Sequence, residues 1–324
     1  MCTALSFKCG AHFFGRTLDM EFSYGENIIV TPRKFPLQFV ESDNISEHFA
    51  FIGVAHEAEG YPLYFDAVNE RGLCAAALNF PFYSRYHGTE KGALNIAPFE
   101  VIPRVLSTCK NLEEARALLS GANIVDKHFS AKLENTPLHW IIADSTGSIT
   151  VESVEDGLKI YDNPVGVLTN SPPFPVQLFN LNNYIALTRE PPVNRFSEKL
   201  PLTVYSRGMG AMGLPGDLSS QSRFVRAAFI RQNSVCGADA REGLAQFFHI
   251  LGGVAQQRGC VHLGENKYEL TVYTSCCDTA RGVYYYTTYS GTCLSAVDMH
   301  RENLDGKSLA VYPMTVTNNI VWNN

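Results

Sequence analysis

The first third of the chain alternates apolar and polar positions in short runs. Residues 3–7 and 12–17 are apolar or alternating segments separated by Cys9-Gly10, which predicts two strands joined by a turn. Residues 28–30 and 49–55 continue the pattern, and 73–80 form a buried run that Pro81 closes. The period then lengthens. Residues 98–108 place Phe99, Ile102 and Leu106 on one side, and Asn111, with Glu114 behind it, caps a helix over 112–119. Strands return across 140–161, broken by a turn at Asp144-Ser145-Thr146-Gly147. Ser219 or Ser220 caps a helix over 221–231, and Asp239, with Glu242 at the reciprocal position, caps another over 240–251. The last quarter is strand-like at 268–275, 283–289 and 308–312.

This order is blocky: strands, helices, strands, helices, strands. It predicts an α+β fold of antiparallel sheets with helices outside, in a single domain over residues 1–324. No internal repeat, low-complexity tract or Ser/Gly linker divides the chain.

Composition acts mainly by exclusion. A hydrophobic content of 45% and a charged content of 18% suit a globular protein, and a net charge of −6 offers no footprint for nucleic acid. The start lacks a basic segment followed by an apolar one, and no run is long enough to span a bilayer. The expectation is a cytoplasmic protein without a membrane span. The nine cysteines are scattered and odd in number, with no C-x-x-C, and the nine histidines show no H-E-x-x-H. That predicts mostly buried thiols, no metal site and no cofactor.

The candidate chemistry begins at Met1-Cys2. A small second residue allows the initiator Met to be trimmed, leaving Cys2 with a thiol and a free α-amine. The thiol is a nucleophile, and the amine is a base of near-neutral affinity that needs no second side chain. Four other places hold polar residues that a packed core would not choose. In Gly15-Arg16-Thr17-Leu18-Asp19, a guanidinium near the thiol favours the thiolate, and Asp19 suits the α-ammonium. Alternation puts Arg16 and Asp19 on opposite faces, so a bend is expected there. Leu78-Asn79-Phe80 ends an apolar strand, where a backbone N–H can point into a cleft. Asn170, in Leu168-Thr169-Asn170-Ser171-Pro172, offers an amide for an oxyanion. The glycine-rich stretch from Gly208 to Gly216 lacks a phosphate-loop lysine, and reads as a flexible substrate loop leading to Arg223.

Together these segments resemble the choloylglycine hydrolase family, which contains conjugated bile salt hydrolases and penicillin V acylases. The resemblance runs over nearly the whole chain. It adds Pro-Leu-His-Trp at 137–140, Leu-Pro-Gly-Asp-Leu-Ser-Ser-Gln-Ser-Arg-Phe-Val at 214–225, and Tyr-Thr-Ser-Cys-Cys-Asp at 273–278. It implies an N-terminal nucleophile hydrolase fold, a four-layer αββα sandwich, and a homotetramer. It implies Cys2 as nucleophile once Met1 is removed, Arg16 and Asp19 as residues that orient and tune it, and the Asn79 N–H and Asn170 amide as oxyanion donors. Arg223 completes the polar network. Asn at position 79 resembles bile salt hydrolases, whereas penicillin V acylases more often carry Tyr there.

The resemblance further implies a small-molecule substrate, a glycine- or taurine-conjugated bile salt, cleaved through a Cys2 thioester. Residues 20–24, 59–65 and 129–138 correspond to the loops that build the steroid cleft, with Met20, Phe65 and Leu133 as contacts. Arg207, in Ser206-Arg207-Gly208, lies where the amino-acid moiety is sensed. The competing readings are a penicillin V or other acyl-amide hydrolase, such as one for N-acyl-homoserine lactones, then a glutamine amidotransferase, then a silent steroid-binding protein.

Overall fold

The computed structural model describes residues 1–324 apart from the side chain of Thr292. The chain opens with a hairpin of β1 (Cys2–Cys9) and β2 (Ala11–Met20), turned at Gly10 with φ 69°. Next come β3 (Asn27–Thr31), β4 (Phe51–Ala58), β5 (Tyr61–Asn69) and β6 (Cys74–Asn79). The short β7 (Leu94–Ile96) leads into α1 (Val101–Thr108) and α2 (Leu112–Ser120), and β8 (Ala122–Ile124) returns beside it. A meander of β9 (Leu138–Asp144), β10 (Gly147–Val154) and β11 (Gly157–Asp162) precedes β12 (Val167–Leu168). Then come α3 (Phe174–Asn180), α4 (Ser220–Asn233) and α5 (Ala240–Gly252). The chain ends with β13 (His262–Gly264), β14 (Lys267–Tyr268), β15 (Leu270–Asp278), β16 (Val283–Thr288), β17 (Gly291–Asp298) and β18 (Ala310–Pro313).

Two antiparallel sheets carry the fold. The six-stranded sheet runs β12-β1-β2-β15-β16-β17, and the eight-stranded sheet runs β11-β10-β9-β6-β5-β4-β3-β18. Side chains alternate across each strand, so each sheet has two apolar faces to cover. Ile52, Val68, Ala76 and Ile141 of the larger sheet meet Ala4, Phe14 and Cys277 of the smaller, in a core that continues to Phe224 of α4 and Phe247 of α5. The alternate residues Phe51, Ala75, Trp140 and Ile142 face outward, onto Val105 and Leu106 of α1 and Ala115 and Leu119 of α2. The layers are therefore helix, sheet, sheet, helix, as the αββα expectation has it. At Gly15 a Cβ would stand 2.1 Å from the Ser275 carbonyl oxygen, so β2 and β15 approach as closely as they do only over a glycine.

The capping residues act locally as anticipated, with small differences. Asn111 Oδ1 accepts from Glu114 N at 2.9 Å, and Ser219 rather than Ser220 is the N-cap of α4. Asp239 accepts from Arg241 N, while Glu242 reaches back to Gly237 N at 2.7 Å instead of to Asp239. The pattern missed α3 and β17, and joined 59–65 to a loop although Tyr61 to Phe65 begin β5.

Cys2, Cys74, Cys109, Cys276 and Cys277 are free and buried, as expected of most of the cysteines, while Cys9 and Cys236 form a disulfide, with Cα atoms 6.2 Å apart, that the sequence did not signal. The β1–β2 turn and the α4–α5 connection meet only in the tertiary fold. The glycine-rich stretch is anchored at its middle. Gly210 is buried, a Cβ there would stand 2.2 Å from the Glu190 carbonyl oxygen, and its own carbonyl accepts from Thr188 N at 2.9 Å. Among the described residues, no helix is long and apolar enough to cross a membrane.

Candidate active site

Cys2 begins β1, opposite Leu18 of β2, and is 2% exposed. Arg16 pairs with Ala4, two positions along the same face, so its side chain returns toward the sulfur. Arg16 Nη2 donates to Cys2 Sγ. Its Nη1 wedges between β5 and β6, donating to the Phe65 carbonyl at 3.2 Å and to the Ala77 carbonyl, and Nε donates to Thr17 O at 3.2 Å. Burial opposes the charge on Arg16, but Cys2, Tyr273, Asp66 and Asp19 outweigh it and hold the guanidinium above its ordinary value.

Asp19 occupies the opposite face of β2, as alternation requires, and the expected bend is not needed. Its Oδ2 accepts from Thr17 Oγ1 at 3.1 Å and its Oδ1 from Thr271 Oγ1 at 2.7 Å. Arg223 Nη1 lies 3.9 Å from Asp19 Oδ2. Arg16 and Asp19 therefore lie on the two faces of the sheet: Arg16 reaches the Cys2 sulfur, and the Asp19 carboxylate is held by Thr17 and Thr271 beside Arg223.

Arg223 projects from α4 and is fully buried. Its Nη1 donates to the Cys2 carbonyl at 2.5 Å and to Thr3 Oγ1 at 2.7 Å, and its Nη2 to Asn170 Oδ1 at 2.8 Å. Burial lowers its proton affinity, partly offset by Asp19, Cys2 and Glu269. Asn170 Oδ1 also accepts from Cys2 N at 2.9 Å, while its Nδ2 donates to the Asn79 carbonyl at 2.7 Å. One N–H of that amide is spent on Asn79, and the second is available to a ligand.

Asn79 faces Leu138 across the ladder, and the next residue, Phe80, donates to Pro137 O at 2.7 Å. Neighbouring residues of a strand point their backbone groups to opposite edges. The Asn79 N–H therefore points away from β9, on the edge where its carbonyl meets Asn170. Two donors so placed can hold a developing oxyanion beside Cys2.

The structure carries Met1, whose ammonium donates to the Asp19 carbonyl and pairs with Glu269. Cys2 N is thus a peptide amide in this form. Burial raises Glu269, and the terminal ammonium draws it back.

A cleft of about 1080 Å³, including its open mouth, ends at Cys2, Arg16 and Asn79. Met20, Phe65 and Leu133 line it, with Leu18, Tyr24, Leu63, Phe99, Ile102 and Phe129. The segment 59–65 contributes from strand β5 rather than from a loop. Arg207 is exposed and is not among the lining residues, so it does not stand at this cleft.

Sequence reasoning missed Asp66, Glu269 and His56. Asp66 is fully buried between the sheets and accepts from Tyr273 at 3.0 Å, from Ser275 at 3.1 Å and from Tyr284. A lone charge inside the apolar run of β5 was the available signal. His56 lines the cleft, and its buried Nδ1 has no partner among the described residues. Among those residues no cluster of His, Cys, Asp or Glu could hold a metal ion.

Comparison with known proteins addresses the whole chain. A family profile described as linear amide C–N hydrolases, choloylglycine hydrolase family, matches residues 2–312. A "Bile salt hydrolase/transferase" of Lactiplantibacillus plantarum is 50% identical over 97% of each chain, and one of Clostridium perfringens is 41% identical over 98% of each. A crystal structure of a conjugated bile acid hydrolase variant from Clostridium perfringens superposes with a TM-score of 0.92 at 39% identity, covering 100% of both chains. Penicillin V acylase from Agrobacterium tumefaciens shares the fold, with a TM-score of 0.75 at 19% identity over 96% of this chain and 90% of that one. A site headed by Cys2 and a match that runs the length of the sandwich have one explanation: the chain belongs to the choloylglycine hydrolase family and is a linear amide C–N hydrolase.

Proposed function

We propose that this enzyme hydrolyses the amide bond of glycine- or taurine-conjugated bile salts through a Cys2 thioester. The observation that carries the reading is the placement of Cys2 Sγ, hydrogen-bonded to Arg16, in a mainly apolar cleft. Such a cleft suits a fused-ring lipid whose amide reaches the sulfur. The curated relatives at 50% and 41% identity carry bile salt hydrolase names, which supports the same substrate.

In this reading Met1 is removed and the Cys2 α-amine is freed. The thiolate attacks the amide carbonyl, forming a C–S bond, and the oxyanion rests against the Asn79 N–H and the Asn170 amide. The α-ammonium gives its proton to the leaving glycine or taurine nitrogen as the C–N bond breaks. The freed amine then takes a proton from water, whose hydroxide attacks the thioester and releases the bile acid and the thiolate. An amine replacing that water would give a new amide in place of the free acid. Arg16 steadies the thiolate, Arg223 holds the Cys2 carbonyl with Asp19 as its counter-charge, and Met20, Phe65 and Leu133 touch the steroid. A homotetramer and a cytoplasmic location belong to the same reading, and light scattering and cell fractionation test them.

The deciding experiment measures free glycine released from glycocholate, beside a phenoxyacetyl-amide control, for the wild type and Cys2→Ser. Release that vanishes in Cys2→Ser is the expected result. Cleavage of the phenoxyacetyl amide alone would make the chain a penicillin V acylase instead. Silence toward both, with Met1 shown by mass to be absent, would leave the bile salt reading without support.

A further inference from the structure

The segment Pro-Leu-His-Trp at 137–140 has no part in the chemistry so far, yet its histidine lies behind the site. His139 in β9 and Glu152 in β10 are ladder neighbours, and both are fully buried. His139 Nε2 is 3.0 Å from the Thr169 carbonyl oxygen, and Nδ1 is 3.2 Å from Glu152 Oε1. A carbonyl only accepts, so Nε2 carries a proton. The contact on the other nitrogen then holds together through one further proton between Nδ1 and Oε1.

The pair touches both halves of the oxyanion site. On one side the His139 ring stacks on Phe80, with centroids 4.3 Å apart and planes 5° from parallel, and Phe80 follows Asn79 directly. On the other side Thr169 precedes Asn170, and Glu152 Oε1 accepts from Phe174 N at 2.9 Å, where α3 begins just after Asn170. The Asn170 segment is thus held before and after the asparagine. The Asn79 segment is held by the stack. The two asparagines come from separate elements, β6 and the connection after β12, and the gap is spanned by their own hydrogen bond, by Ser171 Oγ donating to the Pro81 carbonyl at 2.6 Å, and by this buried pair.

We propose that His139 and Glu152 are positioning residues that fix Asn79 and Asn170 relative to each other. They touch no reacting atom. The inference rests on the assignment of those two asparagines as oxyanion donors.

The test separates steps that build an oxyanion from one that does not. Alkylation of Cys2 by iodoacetamide forms a C–S bond and expels iodide without an oxyanion. Amide cleavage needs one. His139→Phe keeps the ring stack and removes both hydrogen bonds. Its kcat for glycocholate should fall about 10- to 100-fold per alkylatable Cys2, with KM within about twofold, since small misplacements of such groups cost that much. Its alkylation rate should match the wild type. His139→Gln, which can still donate to the Thr169 carbonyl, should recover part of the loss. A purely structural pair would lower the melting temperature and leave kcat per alkylatable Cys2 unchanged, which overturns the proposal. Alkylation that falls in step with amide cleavage overturns it too, because the pair would then act on the nucleophile. Should His139→Phe fail to fold, Glu152→Gln decides by the same split, and unchanged kcat there counts against the proposal. Asn170→Ala runs alongside: full turnover in that variant would remove the asparagine assignment itself, whatever the pair does.

Discussion

Asn170 makes three different hydrogen bonds with one amide. It accepts from Cys2 N and from Arg223, and it donates to the Asn79 carbonyl. Its geometry therefore depends on β1, β6 and α4 together, and removing it should affect the chemical step before binding. Asn170→Ala is expected to lose about 100- to 1000-fold in kcat, with KM little changed, in steady-state assays on a conjugated bile salt. A loss confined to KM would assign Asn170 to substrate binding. Arg16 shows why a residue's neighbourhood outweighs its type. In isolation Gly15-Arg16-Thr17-Leu18-Asp19 reads as a surface ion pair, yet Arg16 is 1% exposed and spends its donors on a sulfur and three carbonyls.

At the scale of elements, the β1–β2 hairpin is the platform of the site, and His12 fastens it. His12 lies between Ser6 Oγ at 2.9 Å and Thr279 Oγ1 at 3.0 Å, which ties the hairpin to the end of β15. Burial, with help from Lys8 and Arg231 and against Asp144, lowers its pKa from 6.5 to about 4. The unfolded chain therefore takes up this proton first. His12 leaves stability intact above pH 6.5 and withdraws it as pH falls toward 4, by up to about 3 kcal/mol. Urea unfolding of the wild type and of His12→Asn should show this. The variant is weaker at pH 7, but its stability should fall less between pH 7 and 4. Parallel pH curves for the two proteins would remove His12 from the account. The hairpin was legible as two strands around Cys9-Gly10, because alternation and a glycine turn are local signals. Strand β17 and helix α3 were not, because neither has a strong period or cap in sequence.

For the whole molecule, Asp66 joins the two sheets. It comes from β5 of the larger sheet and accepts from Tyr273, Ser275 and Tyr284 on β15 and β16 of the smaller. Burial raises its pKa, and Arg16 and the three hydroxyls act to lower it. Asp66→Ala would strand three buried hydroxyls and remove a counter-charge to Arg16. We expect a loss of about 3–5 kcal/mol in denaturant unfolding, and a smaller loss for Asp66→Asn, which keeps an acceptor. Equal losses in the two variants would mean that the charge, not the hydrogen bonding, carries the effect.

The sequence by itself determined the α+β class and marked Cys2 and the polar residues that the fold gathers around it, because each leaves a local mark. Cys2 stands at the head of a strand, Arg16 interrupts an apolar run, Asn79 ends one, and Asn170 sits before a proline pair. It also marked Met20, Phe65 and Leu133, which line the cleft. Only the tertiary structure decided what depends on segments distant in sequence. It brought Cys9 to Cys236, withdrew Arg207 from the cleft, and placed Glu269 against the amino terminus. It closed the circuit from Arg223 through Asn170 to Asn79. Those contacts follow from the stacking of two sheets, and stacking order is not written in the periodicity of any single strand.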